Sequence, residues 1–289
     1  MRIFIFGITG MLGHVLWQNL KEDFEVYGTT RDREDNFTEK YPIFKNNNRN
    51  IIYEIDVLSK EAISTVVGKV RPDVVINCVG IVKQLKEAED PIISISVNSL
   101  FPHLLAVRCE DANIKLIHIS TDCVFSGKKG FYRETDPADA DDLYGRTKYL
   151  GEVSGSNCLT IRASLIGREP REKKSLLEWF LAQKGQVKGY KKAVFSGLTT
   201  YSFTEILKEI ILKYPRLNGI YHVASNPINK YELLTQLKAI YKKDIEIIPD
   251  ETIKVDRSLD ASKFKNDTSI KIPMWDEMLE DLRVKGITA

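Results

Sequence analysis

Three glycines spaced three residues apart follow a short apolar segment near the start of the chain. Residues 2–6 read RIFIF and predict a β-strand, which runs directly into Gly7, Gly10 and Gly13. Residues 14–21 then predict a helix. Glycines at such a strand-to-helix turn permit a tight turn, close approach of backbone amides to a pyrophosphate, and close packing of helix on sheet. This context predicts a dinucleotide-binding fold, with a simple turn as the alternative.

Predicted strands and helices alternate through the first half of the chain at the spacing of a doubly wound parallel sheet. The further predicted strands cover residues 25–29, 51–55, 72–80, 115–121 and 158–162, and the predicted helices cover residues 59–70 and 92–109. Residues 35–50 are polar and predict a mobile excursion without regular structure. From about residue 166 the pattern becomes less regular. We expect an α/β fold with an NAD(P)-binding Rossmann domain at residues 1–165 and a smaller C-terminal α/β substrate-binding region at residues 166–289, some segments of which return to the first domain.

The charge balance and the cysteines limit the classes of partner. The chain has 42 Lys and Arg against 40 Asp and Glu, a formal charge of +2, which gives no reason to expect nucleic acid binding. No stretch is expected to span a membrane, and the opening segment reads as a strand rather than a signal peptide. The four cysteines, Cys78, Cys109, Cys123 and Cys158, show no CxxC spacing or paired histidines. We therefore expect no metal site and a cytoplasmic location.

A hydroxyl pair and a tyrosine–lysine pair occur in the central segment KLIHISTDCVFSGKKGFYRETDPADADDLYGRTKYLGE. Thr121 lies where the predicted strand ends, and Tyr144 and Lys148 are four residues apart on one face of the following helix. A cation close to a phenol favours the phenolate, so Lys148 is expected to make Tyr144 usable as a proton relay at neutral pH. With Thr121 donating to a carbonyl oxygen, this trio suits carbonyl reduction or alcohol oxidation. YxxxK also occurs by chance in many helices, so the interpretation depends on a nicotinamide site elsewhere.

The end of the second strand predicts the choice of cofactor. Dinucleotide-binding chains often carry an acidic residue there to hold the adenosine ribose hydroxyls, but this chain places Thr30 and Arg31 at that position. An arginine suits a 2′-phosphate, so NADP(H) is preferred and NAD(H) is the alternative. Arg31 and Arg33 could instead belong to a charged surface loop.

Three further sites could contact the cofactor, and two of them, at Asp56 and Asn98, also have a structural interpretation. Asp56, followed by Val57, could accept from the adenine amino group or could cap the helix of residues 59–70. The small residues Cys78, Val79 and Gly80 at a strand end would let a nicotinamide ribose approach. Asn98 could be a polar core contact or could orient Lys148 through water.

The segments GITGMLG, ISTDCVF and YGRTK together resemble the extended short-chain dehydrogenase/reductase superfamily, and within it the dTDP-4-dehydrorhamnose reductase branch of nucleotide-sugar reductases. The resemblance spans nearly the whole chain, and it is most specific in the central segment quoted above. It implies that Thr121, Tyr144 and Lys148 are catalytic. The cofactor residues implied by resemblance or residue type are Gly7, Thr9, Gly10, Met11, Leu12, Thr30, Arg31, Asp56, Val57, Cys78, Val79, Gly80, Asn98, Tyr144 and Lys148. The implied substrate residues are Thr121, Asp122, Val124, Phe125 and Arg162.

Departures from that branch are concentrated on the substrate side. The branch commonly has RTS followed by tryptophan, where this chain reads Arg162-Ala163-Ser164-Leu165, and its Gly-x-Pro-Thr is replaced by residues 197–200, GLTT. Its arginine–proline segment is replaced by residues 254–260, KVDRSLD. The resemblance therefore implies reduction of a related nucleotide-linked keto sugar.

The leading hypothesis is an NADPH-dependent reductase of a nucleotide-diphospho-4-keto-6-deoxy sugar, which makes a deoxysugar for surface polysaccharide. A nucleotide-sugar epimerase or epimerase-reductase would use the same trio but would keep NAD bound or need additional acid–base side chains. The cysteine and histidine candidates for that role, Cys123 and His118, could simply belong to the strand and its loop. A regulatory subunit that binds NADP without turnover is the alternative of another class. A homodimer is one expected assembly.

Overall fold

The computed structural model describes residues 1–46, 48–83, 85–171 and 174–286. The strands in chain order are β1 Arg2–Phe6, β2 Glu25–Thr29, β3 Ile51–Ile52, β4 Val74–Asn77, β5 Lys115–Thr121, β6 Cys158–Ile166, β7 Gly185–Tyr190, β8 Ala193–Phe195, β9 Gly197–Thr199, β10 Gly219–His222, β11 Ile228–Asn229, β12 Ile245–Asp250 and β13 Val255–Asp256. The α-helices are α1 Gly13–Asn19, α2 Phe37–Lys40, α3 Lys60–Val70, α4 Pro91–Ile95, α5 Phe101–Asp111, α6 Leu143–Leu150, α7 Leu176–Ala182, α8 Thr200–Lys213, α9 Lys230–Ile240, α10 Ser262–Asp267 and α11 Trp275–Lys285.

The main sheet has eight strands, all of them parallel to their neighbours. The order is β10-β6-β5-β4-β1-β2-β3, and β9 pairs with the end of β6. The chain therefore starts in the interior of the sheet, adds strands on one side, and then crosses to the other side. This confirms the predicted doubly wound α/β fold.

Helices cover both faces of the main sheet, and the residues of β1 alternate between the two cores. Ile3 and Ile5 belong to the core on the face of α1, whereas Phe4 and Phe6 belong to the core on the face of α3 and α5. Because side chains alternate along a strand, an uninterrupted apolar strand such as β1 can be buried only between two layers. Every residue of β1 from Ile3 to Phe6 is 0% exposed.

The second half of the chain contributes both to the main sheet and to a smaller region. Strands β9 and β10 extend the main sheet, while β11-β8-β13 and β12-β7 form separate small sheets. The sequence did not predict β7 or β12, whose parallel pairing joins residues 60 positions apart, such as Gly185 with Ile245. The division of the chain at residue 165 stays a prediction.

The prediction of an unstructured excursion at residues 35–50 is wrong for the stretch between Phe37 and Phe44. Helix α2 and a 3₁₀ turn at Pro42–Phe44 lie within it, and Phe37 and Phe44 are 0% and 1% exposed. The aromatic rings pack on Trp17 of α1, with a Trp17–Phe44 centroid distance of 6.3 Å. Burial of these rings orders a segment whose other residues are polar. Asn47 lies outside the described residues.

Helices α4 and α5 form one continuous helical segment, Pro91–Asp111, joined by a π-helical turn at Ser96–Leu100. Contrary to the sequence prediction, this segment is long and apolar enough to cross a membrane by length and composition alone. One side of it is part of the protein core, where Phe101 and Leu105 are 0% exposed. A core helix of a globular protein passes the same test, so this finding is weak evidence for a membrane span.

Candidate active site

A cleft of about 470 Å³ lies at the carboxyl ends of β1, β2 and β4. In a parallel sheet, ligands bind at this edge. The predicted cofactor residues that line the cleft are Gly7, Thr9, Gly10, Thr30, Arg31, Asp56, Val57, Cys78, Val79 and Gly80. Five other residues were also predicted to bind cofactor but do not line the cleft: Met11, Leu12, Asn98, Tyr144 and Lys148.

The glycine turn has no space for side chains at two of its positions. Gly7 has a φ of 86°, and a Cβ on Gly13 would lie 2.1 Å from the Gly7 carbonyl oxygen. Within the described part of the chain, the backbone N–H groups of Thr9, Met11 and Leu12 have no hydrogen-bond acceptor. The Leu12 side chain packs in the core, so Leu12 can contribute to a pyrophosphate site only through its backbone. Unpaired amides in a glycine turn fit a pyrophosphate.

Two backbone segments that are bonded to each other form the end of the cleft next to β2 and β3. The N–H of Thr30 donates to the Ile52 carbonyl, and the N–H of Ile55 donates to the Thr30 carbonyl, both at 3.0 Å. Arg31 is exposed at the rim and has no ion-pair or hydrogen-bond partner among the described residues. Its guanidinium is therefore available to an anion in the cleft.

Asp56 does not cap the following helix. Ser59 is the N-cap of α3 and accepts from the N–H of Ala62, while Asp56 accepts from the N–H of Leu58 at 2.9 Å. The capping alternative for Asp56 is therefore wrong, and its carboxylate lies in the cleft wall. Asp56 as an adenine contact stays a prediction.

Asn98 lies in the π-helical turn and acts on the cleft through the backbone of Ile81. Its Oδ1 accepts from the Ile81 N–H at 2.8 Å, its Nδ2 donates to the Ile81 carbonyl at 3.1 Å, and Nδ2 also lies 3.3 Å from Thr147 Oγ1. The extra residue of a π turn changes the direction of its side chains, and such turns are frequent at functional sites. Asn98 thus links the cleft wall to α6.

The structure brings the three predicted catalytic residues together beside the inner end of this cleft. Thr121 is the last residue of β5, and its hydroxyl lies within hydrogen-bond reach of the Tyr144 phenol. The ammonium of Lys148 is buried and donates to the Ile119 carbonyl at 2.8 Å. A Cβ placed on Gly80, in the cleft wall, would lie 3.9 Å from Lys148 Nζ. The trio therefore adjoins the wall of the cleft at Gly80.

A short contact sets the position of α6. Asp142 caps α6 by accepting from the Gly145 N–H at 2.8 Å, and a Cβ on Gly145 would lie 2.2 Å from the Cys123 carbonyl oxygen. Helix α6 can approach the loop after β5 this closely only because residue 145 is glycine. This approach brings Tyr144 to Thr121.

The electrostatics of the trio differ in part from the prediction. Burial raises the pKa of Tyr144, with a further rise from the nearby Cys123 thiol, and the Thr121 hydroxyl only partly opposes it. Burial also lowers the pKa of Lys148 to about 8, against the opposing influence of Glu152. The expected lowering of the Tyr144 pKa by Lys148 is not found, since Lys148 is not among the main influences on it, and Tyr144 is held as the protonated phenol at neutral pH.

The predicted substrate residues Val124 and Phe125 are both 0% exposed. They pack in an apolar cluster in which the Phe125 and Tyr132 rings are stacked with centroids 4.1 Å apart. Their side chains therefore support the wall of the site in this structure and are not open to a ligand.

Arg162 was predicted to face the substrate, and its contacts do not support that role. Its Nε and Nη2 each donate at 2.7 Å to a different carboxylate oxygen of Glu152, and Nη1 donates to the His222 ring at 3.2 Å. Arg162 is 2% exposed, so all three nitrogens are engaged inside the protein. The sequence could not indicate this, because an arginine in a strand does not reveal its partner.

Two cations near the trio were not predicted. Arg257 lowers the pKa values of the buried groups Asp122 and Cys123, next to Tyr144. Burial lowers the pKa of Lys230, and the same two groups partly oppose this. The two cations follow Asn229 and Asp256, which pair with the same residue, Val194, from opposite sides of β8.

Arg257 Nε donates to the Phe125 carbonyl at 2.8 Å, whereas the ammonium of Lys230 has no partner among the described residues. Asp122 was predicted to contact substrate, and burial raises its pKa while Arg257 lowers it. Only the tertiary fold brings Lys230 and Arg257 together, so no local signal in the sequence could have identified them.

The family model described as RmlD substrate binding domain matches residues 1–285 of this chain. The chain belongs to this family. The membership confirms the resemblance that the central segment and the glycine turn indicate.

Two curated proteins with named activities are similar to this chain. The chain is 31% identical over 172 residues to the probable low-salt glycan biosynthesis reductase Agl14 of Haloferax volcanii, which covers 57% of this chain and only about half (54%) of the relative. It is 28% identical over 213 residues to a dTDP-4-dehydrorhamnose reductase of Aggregatibacter actinomycetemcomitans, which covers 68% of this chain and 71% of the relative.

Among solved structures, the fold is similar to that of dTDP-4-dehydrorhamnose reductase from Bacillus anthracis, determined in complex with NADP. The TM-score is 0.81, the identity is 19%, and the match covers 98% of this chain and 99% of the other. A Thermus thermophilus UDP-glucose 4-epimerase in complex with NAD also matches, with a TM-score of 0.76, 17% identity and coverage of 100% and 99%. At these identities the likeness concerns the fold alone.

Proposed function

We propose that the protein is an NADPH-dependent reductase of a nucleotide-diphospho-4-keto-6-deoxy sugar. The observation that carries this proposal is that the Thr121, Tyr144 and Lys148 cluster adjoins the glycine-turn cleft at Gly80. A dinucleotide that lies with its pyrophosphate at the glycine turn would extend along the cleft toward Gly80 and the cluster. Names of the relatives support the sugar class, since they include a glycan biosynthesis reductase and a dTDP-4-dehydrorhamnose reductase.

The residues of the chain suit reduction better than oxidation. Bound NADPH would supply a hydride to the carbonyl carbon. Thr121 and Tyr144 would bind the carbonyl oxygen, and the phenol would give its proton to that oxygen as the C–O π bond breaks, so the product is an alcohol. Because burial raises the pKa of Tyr144, the proton is present at neutral pH, and the Lys148 ammonium nearby would stabilise the phenolate that remains.

Arg31 supports the preference for NADPH. Its unpaired guanidinium lies at the adenosine end of the cleft, and guanidinium groups bind phosphate in bidentate geometry. The exposed carboxylates Glu54 and Asp56 lie in the same part of the cleft wall, so NADH remains the alternative cofactor.

Lys230 and Arg257 support an anionic substrate. Two cations close to the proposed proton donor, with Asp122 as their neighbouring carboxylate, suit the diphosphate of a nucleotide sugar. This assignment replaces Arg162 as the basic part of the substrate site.

The epimerase alternative is weaker because its acid–base candidates do not suit the task. Burial and the neighbouring Asp122 raise the pKa of the Cys123 thiol to about 12, so it is not a base at neutral pH. His118 is 0% exposed and its Nδ1 is bonded to Asn77 at 3.1 Å. A regulatory subunit without turnover would have no chemical use for the trio.

For the assembly, we infer a homodimer through the exposed side of Pro91–Asp111. Ile92, Ile95, Leu100 and Val107 are 76%, 48%, 50% and 59% exposed, and the helical period with one extra residue for the π turn puts them on one face. A two-fold axis would pair this apolar face with itself. Sedimentation velocity should give a dimer for the native protein and a monomer for Ile92→Asp plus Val107→Asp. The dimer would be contradicted if the native protein sedimented as a monomer, or if it bound lipid vesicles through this face instead.

The proposed setting is the cytoplasm, where nucleotide sugars would be reduced on the way to a surface polysaccharide. All four cysteines are free thiols, which suits a reducing compartment.

The test of the activity is the loss of NADPH absorbance with dTDP-, UDP- and GDP-4-keto-6-deoxy sugars, each made in place by its dehydratase, with NADH in parallel. Stoichiometric loss with one nucleotide class is expected. If NADPH binds but is oxidised with none of the sugars, the reductase proposal is wrong.

A further inference from the structure

Asp32 carries a carboxylate three residues beyond the end of the second strand, Thr29, yet this carboxylate does not line the cofactor cleft. Its Oδ2 accepts from the Thr30 hydroxyl at 2.9 Å and from the Tyr41 hydroxyl at 3.2 Å, and its Oδ1 forms an ion pair with Lys40. The side chain of Asp32 is only 9% exposed. Its carboxylate is therefore neutralised and turned toward α2.

The donors to Asp32 are rigidly placed. Lys40 ends α2 and Tyr41 follows it, and the Tyr41 ring packs on Phe37 with a centroid distance of 5.2 Å. Phe37 in turn packs on Phe44 and Tyr53, at 5.1 and 5.2 Å. Because this aromatic cluster is buried on α1, the position of the Lys40 ammonium is set by the core of the protein.

Backbone hydrogen bonds connect Asp32 to residues that line the cleft. The Asp32 N–H donates to Thr30 Oγ1 at 3.1 Å, and the Glu54 N–H donates to the Asp32 carbonyl at 3.1 Å. Arg31 lies between Thr30 and Asp32, so these bonds hold the backbone of Arg31 on both sides. They also leave its side chain at the rim of the cleft.

The charges at this end of the cleft show why Asp32 matters. Arg31 carries one positive charge, while Glu54 and Asp56 carry negative charges in the cleft wall. An unpaired Asp32 would add a third carboxylate close to Arg31. It could also accept from ribose hydroxyl groups, which is the contact that favours a cofactor without a 2′-phosphate.

We propose that Lys40 and Tyr41 are specificity-determining positioning residues. They hold Asp32 away from the cleft and so permit Arg31 to bind a phosphate on the adenosine ribose. This proposal rests on the proposed preference for NADPH. Helix α2 thereby acts on cofactor choice without touching the cofactor.

The experiment measures dissociation constants for NADPH and NADH by fluorescence titration of the full chain, at fixed ionic strength. The variants are Lys40→Met, Tyr41→Phe, Asp32→Asn and the double variant Lys40→Met plus Asp32→Asn. Lys45→Met is the matched control, because it removes one exposed positive charge from the same segment without a contact to Asp32. Thermal unfolding of each variant verifies folding.

Lys40→Met should weaken NADPH by about tenfold, as expected for one carboxylate released near a phosphate in a partly solvated site, and should leave NADH unchanged or tighter. Tyr41→Phe should also weaken NADPH binding, but by a smaller factor, because it removes only the hydroxyl bond to Asp32 and keeps the ring packing. The double variant should bind NADPH with the native dissociation constant. Lys45→Met should change the dissociation constant of neither NADPH nor NADH.

Equal weakening of both cofactors by Lys40→Met, or no recovery in the double variant, would show that α2 only supports the fold. The native protein tests the underlying preference separately. If it binds NADH as tightly as NADPH, the proposed cofactor is wrong, whereas the effect of Lys40→Met on the ratio of the two constants still decides the role of α2.

Discussion

Glu152 and Arg162 form a two-point ion pair in which both side chains are only 2% exposed. The Ser120 hydroxyl donates to the same carboxylate at 2.7 Å, and the neutral His222 ring accepts from Arg162 and donates to the Tyr132 carbonyl. This network joins the segment after α6 to β5, β6 and β10. It fixes the trio relative to the C-terminal half of the chain.

Glu152→Gln should destabilise the protein by about 3–5 kcal/mol, because it leaves the Arg162 cation buried without a counter-charge. Chemical denaturation measures the change. Glu209→Gln is the control, since Glu209 pairs with Lys213 on an exposed helix face and such a pair contributes about 0.5 kcal/mol or less. Similar small losses in both variants would contradict the structural role of the buried pair.

Tyr144→Phe should bind NADPH with the native dissociation constant and lose about 10²-fold to 10⁴-fold in kcat, since the ring is kept and only the proton donor is removed. Tyr149→Phe, on the exposed side of the same helix, should retain native turnover. Native turnover in Tyr144→Phe would remove Tyr144 from the mechanism.

For pH dependence, kcat/KM for keto-sugar reduction should fall as the pH rises through about 8. Burial lowers the pKa of Lys148 to about 8, so its ammonium loses its proton there, whereas Tyr144, whose pKa is raised, keeps its proton. A rate profile between about pH 6 and 9.5 measures this, with about tenfold loss per unit above the midpoint. Lys148→Arg should shift the decline to higher pH, since a guanidinium stays charged. The same decline in that variant would assign it to another group.

Lys230→Met and Arg257→Met should each raise KM for the nucleotide sugar by about tenfold or more, because a charge-assisted contact to a phosphate is lost. The dissociation constant of NADPH should stay unchanged. Lys238→Met, an exposed lysine on the same helix as Lys230, serves as the control. A loss of NADPH affinity instead of substrate affinity would move these cations to the cofactor site.

Arg31→Ala should weaken NADPH more than NADH, by about tenfold in the ratio of their dissociation constants, because the guanidinium would bind the 2′-phosphate. Arg33→Ala is the matched control, since Arg33 is exposed and pairs with Asp35 at 3.6 Å. Equal losses of both cofactors in Arg31→Ala would mean that Arg31 does not contact the 2′-phosphate.

Local signals were sufficient for the parts of the fold and site that lie in continuous segments. The strand, glycine turn and helix at Arg2–Asn19 are specified by neighbouring residues, and the four-residue spacing of Tyr144 and Lys148 places both on one helix face. The cofactor cleft was predictable for the same reason, because the carboxyl ends of parallel strands meet at one edge.

Other features depend on residues far apart in the chain and could not be read from local patterns. Helix α2 is ordered by Trp17 of another helix, Arg162 is occupied by Glu152 and His222, and Lys230 and Arg257 meet only through β8. The pKa of Tyr144 likewise depends on burial, which the spacing of Tyr144 and Lys148 does not indicate.

The attachment of β9 and β10 to β6 has a consequence during synthesis on the ribosome. When residue 166 has been made, β6 still lacks both of these neighbours, and the backbone edge that β10 will cover is unpaired. At translation rates of about 5–20 residues per second, that edge stays unpaired for several seconds, until residue 222 has been added and has left the ribosome. An unpaired parallel edge can join another nascent chain. The yield of folded protein should therefore depend on translation speed between these two points.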